Sequence, residues 1–316
     1  MSVLSRPEFH DEAAAFAHLE RIVWAGMPLC PHCGGVDRIT SVKANPAKRI
    51  RVGLHRCGDC KRQFTVKVGT VFEHMRLPLH KALQATYLMT SSKKGVSAHQ
   101  LHRTLEITYK SAWFLAHRIR EAMRSGELAI PFGSNGGAVE VDETFIGRLK
   151  GVEKKAAYHH KMKVLALVDR DTGKARTMVV EGVTAAHLIP IITANVAREA
   201  KVMTDEHMAY RPLRGMFAAH GTTAHKAKVY VDPSNPEIHS NTVEGYFSIF
   251  KRGMKGIYQH CGEQHLHRYL AEYEFRYNHR SAHGYNDADR SRQAMHGIVG
   301  KRLTYRSAGQ QQGVRA

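Results

Sequence analysis

The apolar positions of the chain change period several times. Over residues 12–24, Phe16, Leu19, Ile22 and Val23 share one face at helical spacing, which predicts a short amphipathic helix. Residues 49–56 and 61–67 alternate instead, as the strands of a small ribbon would. Helical spacing returns over 79–90 and is broken by Ser91-Ser-Lys-Lys-Gly95. It resumes from an N-cap at Ser97 to Leu105 and, after a short turn, runs again over 110–124 with Trp113, Leu115, Ala116, Ile119 and Met123 for a core. Past the loop signal at 131–137, the stretch Val139-Glu-Val-Asp-Glu-Thr-Phe-Ile-Gly147 reads as a strand. Strands over 161–169 and 175–180 flank the turn Arg170-Asp-Thr-Gly173, which makes an antiparallel meander. A helix follows over 184–200, with Thr184 as cap and Leu188, Ile191, Ile192 and Val196 facing inward. Strands over 201–205 and 226–231 come next. From about Asn241 a long helix carries the apolar stripe Val243, Phe247, Phe250 and Met254, and the aromatics of 260–280 suit a terminal helix packed on the sheet.

Charge adds a partner to this picture. The 316 residues carry 47 Lys and Arg against 28 Asp and Glu, a net charge of +19, with 43% hydrophobic residues. Such a chain is globular, long enough for two or three domains, and expects a polyanionic partner, nucleic acid before an anionic membrane surface. No apolar run approaches membrane-spanning length, and the acidic residues among the first thirty positions exclude a signal peptide. The expectation is a cytoplasmic, nucleoid-associated protein without a membrane partner. In that compartment five cysteines suggest metal or redox chemistry rather than disulfides.

Cys30-Pro-His-Cys33 and Cys57-Gly-Asp-Cys60 form two Cys-x-x-Cys knuckles separated by 23 residues. Each knuckle can present two thiolates to one tetrahedral ion, so Cys30, Cys33, Cys57 and Cys60 are expected to hold a structural Zn²⁺. The ribbon around them is basic, with nine cations against two acids over 37–67, and Arg62 is a candidate DNA contact. Residues 75–130, two short helices, a tight turn and a helix ending in cations, resemble a helix-turn-helix. Lys110, His117, Arg118, Arg120 and Arg124 are its candidate DNA contacts; a plain helical linker is the alternative.

Three acidic positions carry the candidate chemistry. Asp142 lies inside an otherwise apolar strand, where a carboxylate is costly unless paired, and a divalent metal is one partner; an outward-facing strand position is the other reading. Asp205 ends a strand. On the long helix Asn241, Glu244, Ser248 and Lys251 form one polar stripe, so a carboxylate and, two turns on, a cation project together. Asn241-x-x-Glu244 would equally serve as a capping box, and Glu244 with Lys251 could be a solvated face. Glu140, Glu143 and Glu206 are expected at the surface, with Glu143 opposite Asp142 and Glu140 on the Asp142 face only if the strand bulges.

Three strands, a helix, a strand, a helix-bearing loop, a strand and a helix is the order of a ribonuclease-H-like α/β domain. Asp142 in Val-Asp-Glu-Thr, Asp205 at a strand end, and Asn-x-x-Glu followed seven residues later by Lys resemble the catalytic core of DDE-type bacterial insertion-sequence transposases. The zinc ribbon and helix-turn-helix in front resemble the ISXO-like group, over roughly residues 20–295. The resemblance implies a metal triad of Asp142, Asp205 and Glu244 for Mg²⁺ or Mn²⁺, with Lys251 as accessory cation and Asn241 assisting. We favour Glu244 over Asn241 as the third ligand, because a carboxylate binds Mg²⁺ better than an amide. It also implies two-metal-ion cleavage of DNA strands at element ends and strand transfer into target DNA, on double-stranded DNA, by a homodimer or larger assembly. The alternatives are a non-catalytic zinc-ribbon regulator and a structure-selective nuclease. The expected boundaries are 1–74 for the N-terminal helix and ribbon, 75–130 for the DNA-binding helices, 138–295 for the catalytic domain and 296–316 for a basic tail whose Gln310-Gln-Gln-Gly stretch is expected to be disordered.

Overall fold

The computed structural model describes residues 2–154, 157–223 and 231–304. Two compact units divide the chain. The first is built from three stretches, residues 1–91, 98–123 and 287–316; the second from two, 92–97 and 124–286.

In the first unit α1 (Glu12–Trp24) starts at Asp11, whose side chain accepts the Ala14 N–H at 2.7 Å. The ribbon is a three-stranded antiparallel sheet in the order β1 (Ile39–Val42), β2 (Leu54–Cys57), β3 (Gln63–Phe64). Phe64 and Cys57 are fully buried at its centre, against Trp24. Three helices follow, α2 (Leu79–Ser91), α3 (Ala98–Leu105) and α4 (Tyr109–Met123), close to the sequence-predicted bounds. One element lies elsewhere than expected: α8 (Asp287–His296) packs on α1, α2 and α4 rather than with the 138–286 region. The segment after it is also part of this unit. Ile298 is fully buried and accepts the Val71 N–H at 3.1 Å, and Gly300 N–H donates to Gly69 O at 2.9 Å. Gln310–Gly313 of the expected disordered tail lies outside the described residues.

The second unit is a five-stranded sheet in the order β6-β5-β4-β7-β8. Its strands are β4 (Ala138–Ile146), β5 (Met162–Asp169), β6 (Ala175–Val180), β7 (Lys201–Asp205) and β8 (Ala219–Thr223). β4, β5 and β6 form the expected antiparallel meander, whereas β7 runs parallel to β4 and β8 parallel to β7. The expected strand over 226–231 falls outside the described residues except Val231, which bridges His239. The strand beside β7 is instead Ala-His-Gly-Thr-Thr223. Gly221 permits its close packing, since a Cβ there would meet Met203 Sδ at 2.7 Å.

Alternation divides the core in two. Val139, Val141, Leu165, Leu167 and Val202 face α5 (Ala185–Asn195), which contributes Leu188 and Ile192. Ile146, Val164, Ala166 and Val168 face α6 (Asn241–Gly253) and α7 (Glu263–Asn278). The predicted stripe Val243, Phe247, Phe250 and Met254 is buried there in full. α5 ends five residues before the sequence-predicted bound, because Val196 turns extended and pairs with Phe132. Among the described residues no helix is long and apolar enough to cross a membrane.

Candidate functional site

The parallel pairing of β4 with β7 places Ala138, Val139 and Glu140 opposite Lys201, Val202 and Met203. There it stops, while β4 stays paired to β5 through Ile146. Asp142 and Asp205 lie two residues past the last pair, on the same face, where the two strands part at their carboxyl ends. In open α/β sheets that is where ligands enter. The same face is covered by α6, whose first turn carries Glu244.

The electrostatics join these carboxyls. Burial pushes the Asp142 pKa well above the usual carboxylate range; the charges of Glu143, Asp205 and Glu244 push it the same way, and only the Glu143 N–H, 2.8 Å from Asp142 Oδ1, opposes them. Asp205 Oδ1 accepts the His207 N–H at 2.9 Å. Glu244 Oε1 accepts the Ser240 hydroxyl at 3.2 Å, and Ser240, not Asn241, is the N-cap. The expected capping box therefore does not form: Asn241 is already the first helical residue and exposed, and Glu244 sits one position too late to reach back as such a box requires. Lys251 is half-buried farther along α6, its Nζ 5.9 Å from the centre of the Phe247 ring.

The flanking acids correct the sequence reading. Glu140 is completely buried, and it shares the Asp142 face by regular alternation in an unbulged register. Residues two apart on a strand lie on one side, so no bulge is needed. Glu143 does lie on the opposite face, but its side chain is only 8% exposed and accepts the Tyr210 hydroxyl. Burial raises its pKa, against the Tyr210 hydrogen bond. Glu206 is half-buried. Buried carboxylates need partners, and those of Glu140 and Glu143 lie 30 to 103 residues away in the chain, where no local pattern announces them.

Among the described residues only Cys30, Cys33, Cys57 and Cys60 bring three or more ligand atoms within 4.8 Å of one another. Gly34 N–H donates to Cys30 O and Cys30 N–H to Gly35 O, at 2.9 and 3.0 Å, closing the first knuckle; Cys57 N–H donates to Arg62 O at 3.0 Å in the second. Burial works to raise the Cys30 thiol, but the N–H groups of His32 and Cys33 hold it down to about 7. The Gly35 N–H pulls Cys33 down, yet the sulfurs of Cys30 and Cys57 push it up to about 12. Four sulfurs this close together are a ready tetrahedral donor set, and an all-sulfur set fits a structural zinc.

Of the candidate DNA contacts, Lys110, Arg124 and Arg62 are exposed. Three others are not at the surface: His117, Arg118 and Arg120 are 0%, 6% and 2% exposed. Arg118 Nη1 donates to Val71 O at 2.5 Å and Glu73 O at 2.9 Å, and its guanidinium lies 4.9 Å from the Phe114 ring centre. α4 is buried all round in its second half, so its cations there serve the interior, contrary to the sequence expectation.

Residues 10–63 match the family described as the transposase zinc-ribbon domain, and residues 135–278 match the ISXO2-like transposase domain. The chain thus resembles insertion-sequence transposases in two domains, with the zinc-ribbon match N-terminal to the ISXO2-like match. It is 28% identical over 290 residues to a Halobacterium salinarum protein described as an uncharacterized protein in transposable element ISH50, covering 85% of this chain and 91% of that one.

Proposed function

We propose that the chain cleaves DNA strands at the ends of its element and transfers them to target DNA, using Asp142, Asp205 and Glu244 to hold Mg²⁺ or Mn²⁺. The observation that carries this reading is the placement of Asp142 and Asp205 on one face of two parting parallel strands, with Glu244 close enough to raise the Asp142 pKa. Such mutually opposed carboxylates are stabilised by a divalent cation, and hard oxygen donors select Mg²⁺ or Mn²⁺ over zinc. The sheet order, with a three-stranded meander and two further parallel strands, supports a ribonuclease-H-like domain.

When bound, such ions supply activation of an attacking oxygen and stabilisation of the leaving one. The chain's own residues do the rest. Lys251, on the α6 face that bears Glu244, meets a phosphate or an adjacent base, and Asn241 assists from the first turn. Asn241 is exposed whereas Glu244 is half-buried and its charge acts on Asp142, which supports Glu244 as third ligand. The helices α2–α4 act as a helix-turn-helix-like grip in which Lys110 and Arg124 contact DNA phosphates, with Arg62 doing so from the ribbon; Arg118 and Arg120 are removed from that role. Transposition joins two ends, so the working form on DNA is a dimer or larger, in the cytoplasm on the nucleoid.

A strand-transfer assay tests this. The zinc-loaded protein receives Mg²⁺ or Mn²⁺ and DNA carrying the flanks of its own gene, beside Asp142→Ala and Glu244→Gln. Metal-dependent joined products, absent from both variants, are expected. Cleavage without joining would assign a nuclease, and tight DNA binding with neither reaction a regulator.

A further inference from the structure

Glu140, the first acid of the Val-Glu-Val-Asp-Glu stretch, is fully buried and bound by the first turn of α6. Its Oε2 accepts the N–H groups of Thr242 and Val243, both at 2.8 Å, and its Oε1 accepts the Thr242 hydroxyl at 2.7 Å. The helix thus starts on a carboxylate supplied by the central strand, while Ser240 contributes no side-chain cap of its own. A negative charge at this end of a helix satisfies both the open N–H groups and the helix dipole.

Arg170, at the turn after β5, completes a buckle. Its Nε donates to Glu140 Oε1 at 2.6 Å; its Nη2 donates to His239 O at 2.6 Å and its Nη1 to Glu237 O at 2.6 Å. Its backbone N–H donates to Ala138 O at 3.0 Å. Strand β4, the turn after β5 and the approach to α6 are all tied to one buried carboxylate. That carboxylate is two residues from Asp142 on one element, and the residues it binds on the other, Thr242 and Val243, are flanked directly by Asn241 and Glu244.

We propose that Glu140 is a positioning residue, which with Arg170 fixes the first turn of α6 so that Glu244 is held in register with Asp142 and Asp205 for a divalent cation. The inference rests on the proposed cation role of those three carboxylates. Outer partners of this kind set metal affinity without touching the metal.

Mn²⁺ binding to the full-length, zinc-loaded protein tests it, read from the loss of the free-ion paramagnetic resonance signal and accompanied by thermal melting. Asp142→Asn and Glu244→Gln should abolish binding. Glu140→Gln keeps the shape and an acceptor oxygen but loses the charge, and should weaken Mn²⁺ binding about tenfold or more. Leu188→Ala, in the opposite core, serves as the destabilised control and should leave the Mn²⁺ constant unchanged. A Glu140→Gln constant equal to that of wild type, with binding lost in Asp142→Asn, would overturn the positioning role and leave the carboxylate site standing. Binding undiminished in Asp142→Asn and Glu244→Gln would overturn the site itself, and the role of Glu140 with it. Should Glu140→Gln fail to fold, Thr242→Val removes only the hydroxyl bond to Glu140. Weakened Mn²⁺ binding in that variant supports the proposal, and an unchanged constant overturns it.

Discussion

Replacing Arg118 by methionine separates a DNA contact from a core residue. Methionine fills most of the volume, makes no hydrogen bonds and leaves no buried charge behind. Two charge-assisted bonds disappear, to Val71 O and Glu73 O, together with the stacking on Phe114. Hydrogen bonds from a charged donor contribute about 1.5–3 kcal/mol each. Burial of the guanidinium opposes this, as the downward pull on its pKa shows, and that cost is removed with the side chain. Val71 is buried and Glu73 is not, so one carbonyl is left dry and the other rehydrates. The net expectation is a loss of about 2–4 kcal/mol from the first unit, measured by urea denaturation. DNA affinity per folded molecule should keep its salt dependence. Lys110→Ala should do the opposite: unchanged stability, and a slope of log affinity against log salt reduced by about 0.9. An Arg118→Met protein that unfolds at the wild-type urea concentration, yet shows the reduced salt slope, would refute the assignment of Arg118 to the interior.

Three further outcomes follow from the geometry. The folded-state pKa of Asp142 is raised, so its ionised form costs stability at neutral pH and the cost vanishes below the unfolded value near 3.8; Asp142→Asn should melt higher than wild type at pH 7 without divalent metal, with the gain shrinking on acidification. Removal of zinc by a strong chelator, or Cys57→Ser, should unfold the ribbon while elemental analysis shows one zinc per chain lost, since metal binding in such small modules is folding free energy. Gly253→Ala would drive a Cβ into the Tyr273 hydroxyl, with Lys94 O 2.8 Å away; displacement of α6 from α7 should cost roughly 1–3 kcal/mol, read by thermal melting.

What was legible in the sequence was local. The cysteine knuckles, the period within each of α2, α3 and α4, the strands of the meander and the apolar stripe of α6 all announce themselves from neighbouring residues. What was not legible depends on distant partners. Arg118 reads as a surface cation until the carbonyls of residues 71 and 73 close around it. Glu140 reads as a solvated strand position until Arg170 and the first turn of α6 arrive. β8 lacks the β-branched and apolar run that marks a strand, while the neighbouring stretch around Val229 has it; β8 is a strand because β7 offers an open edge and Gly221 lets it approach. α8 carries few apolar residues, and only Ala294 and Met295 are buried, so nothing in its period says which body it joins.

The threading of the two units has a bearing on synthesis. The first unit needs α8 and the segment through Ile298, which leave the ribosome after every strand of the second unit has emerged. The zinc knuckles can load early, but the helical body that surrounds α2 stays open along the α8 groove until the last tenth of the chain is made. A chain ended by a stop codon near residue 286 would carry a finished sheet joined to an unfinished first unit, prone to proteolysis. Decayed copies of the gene would thus tend to fall silent by clearance of their product, even with every acidic residue of the sheet intact.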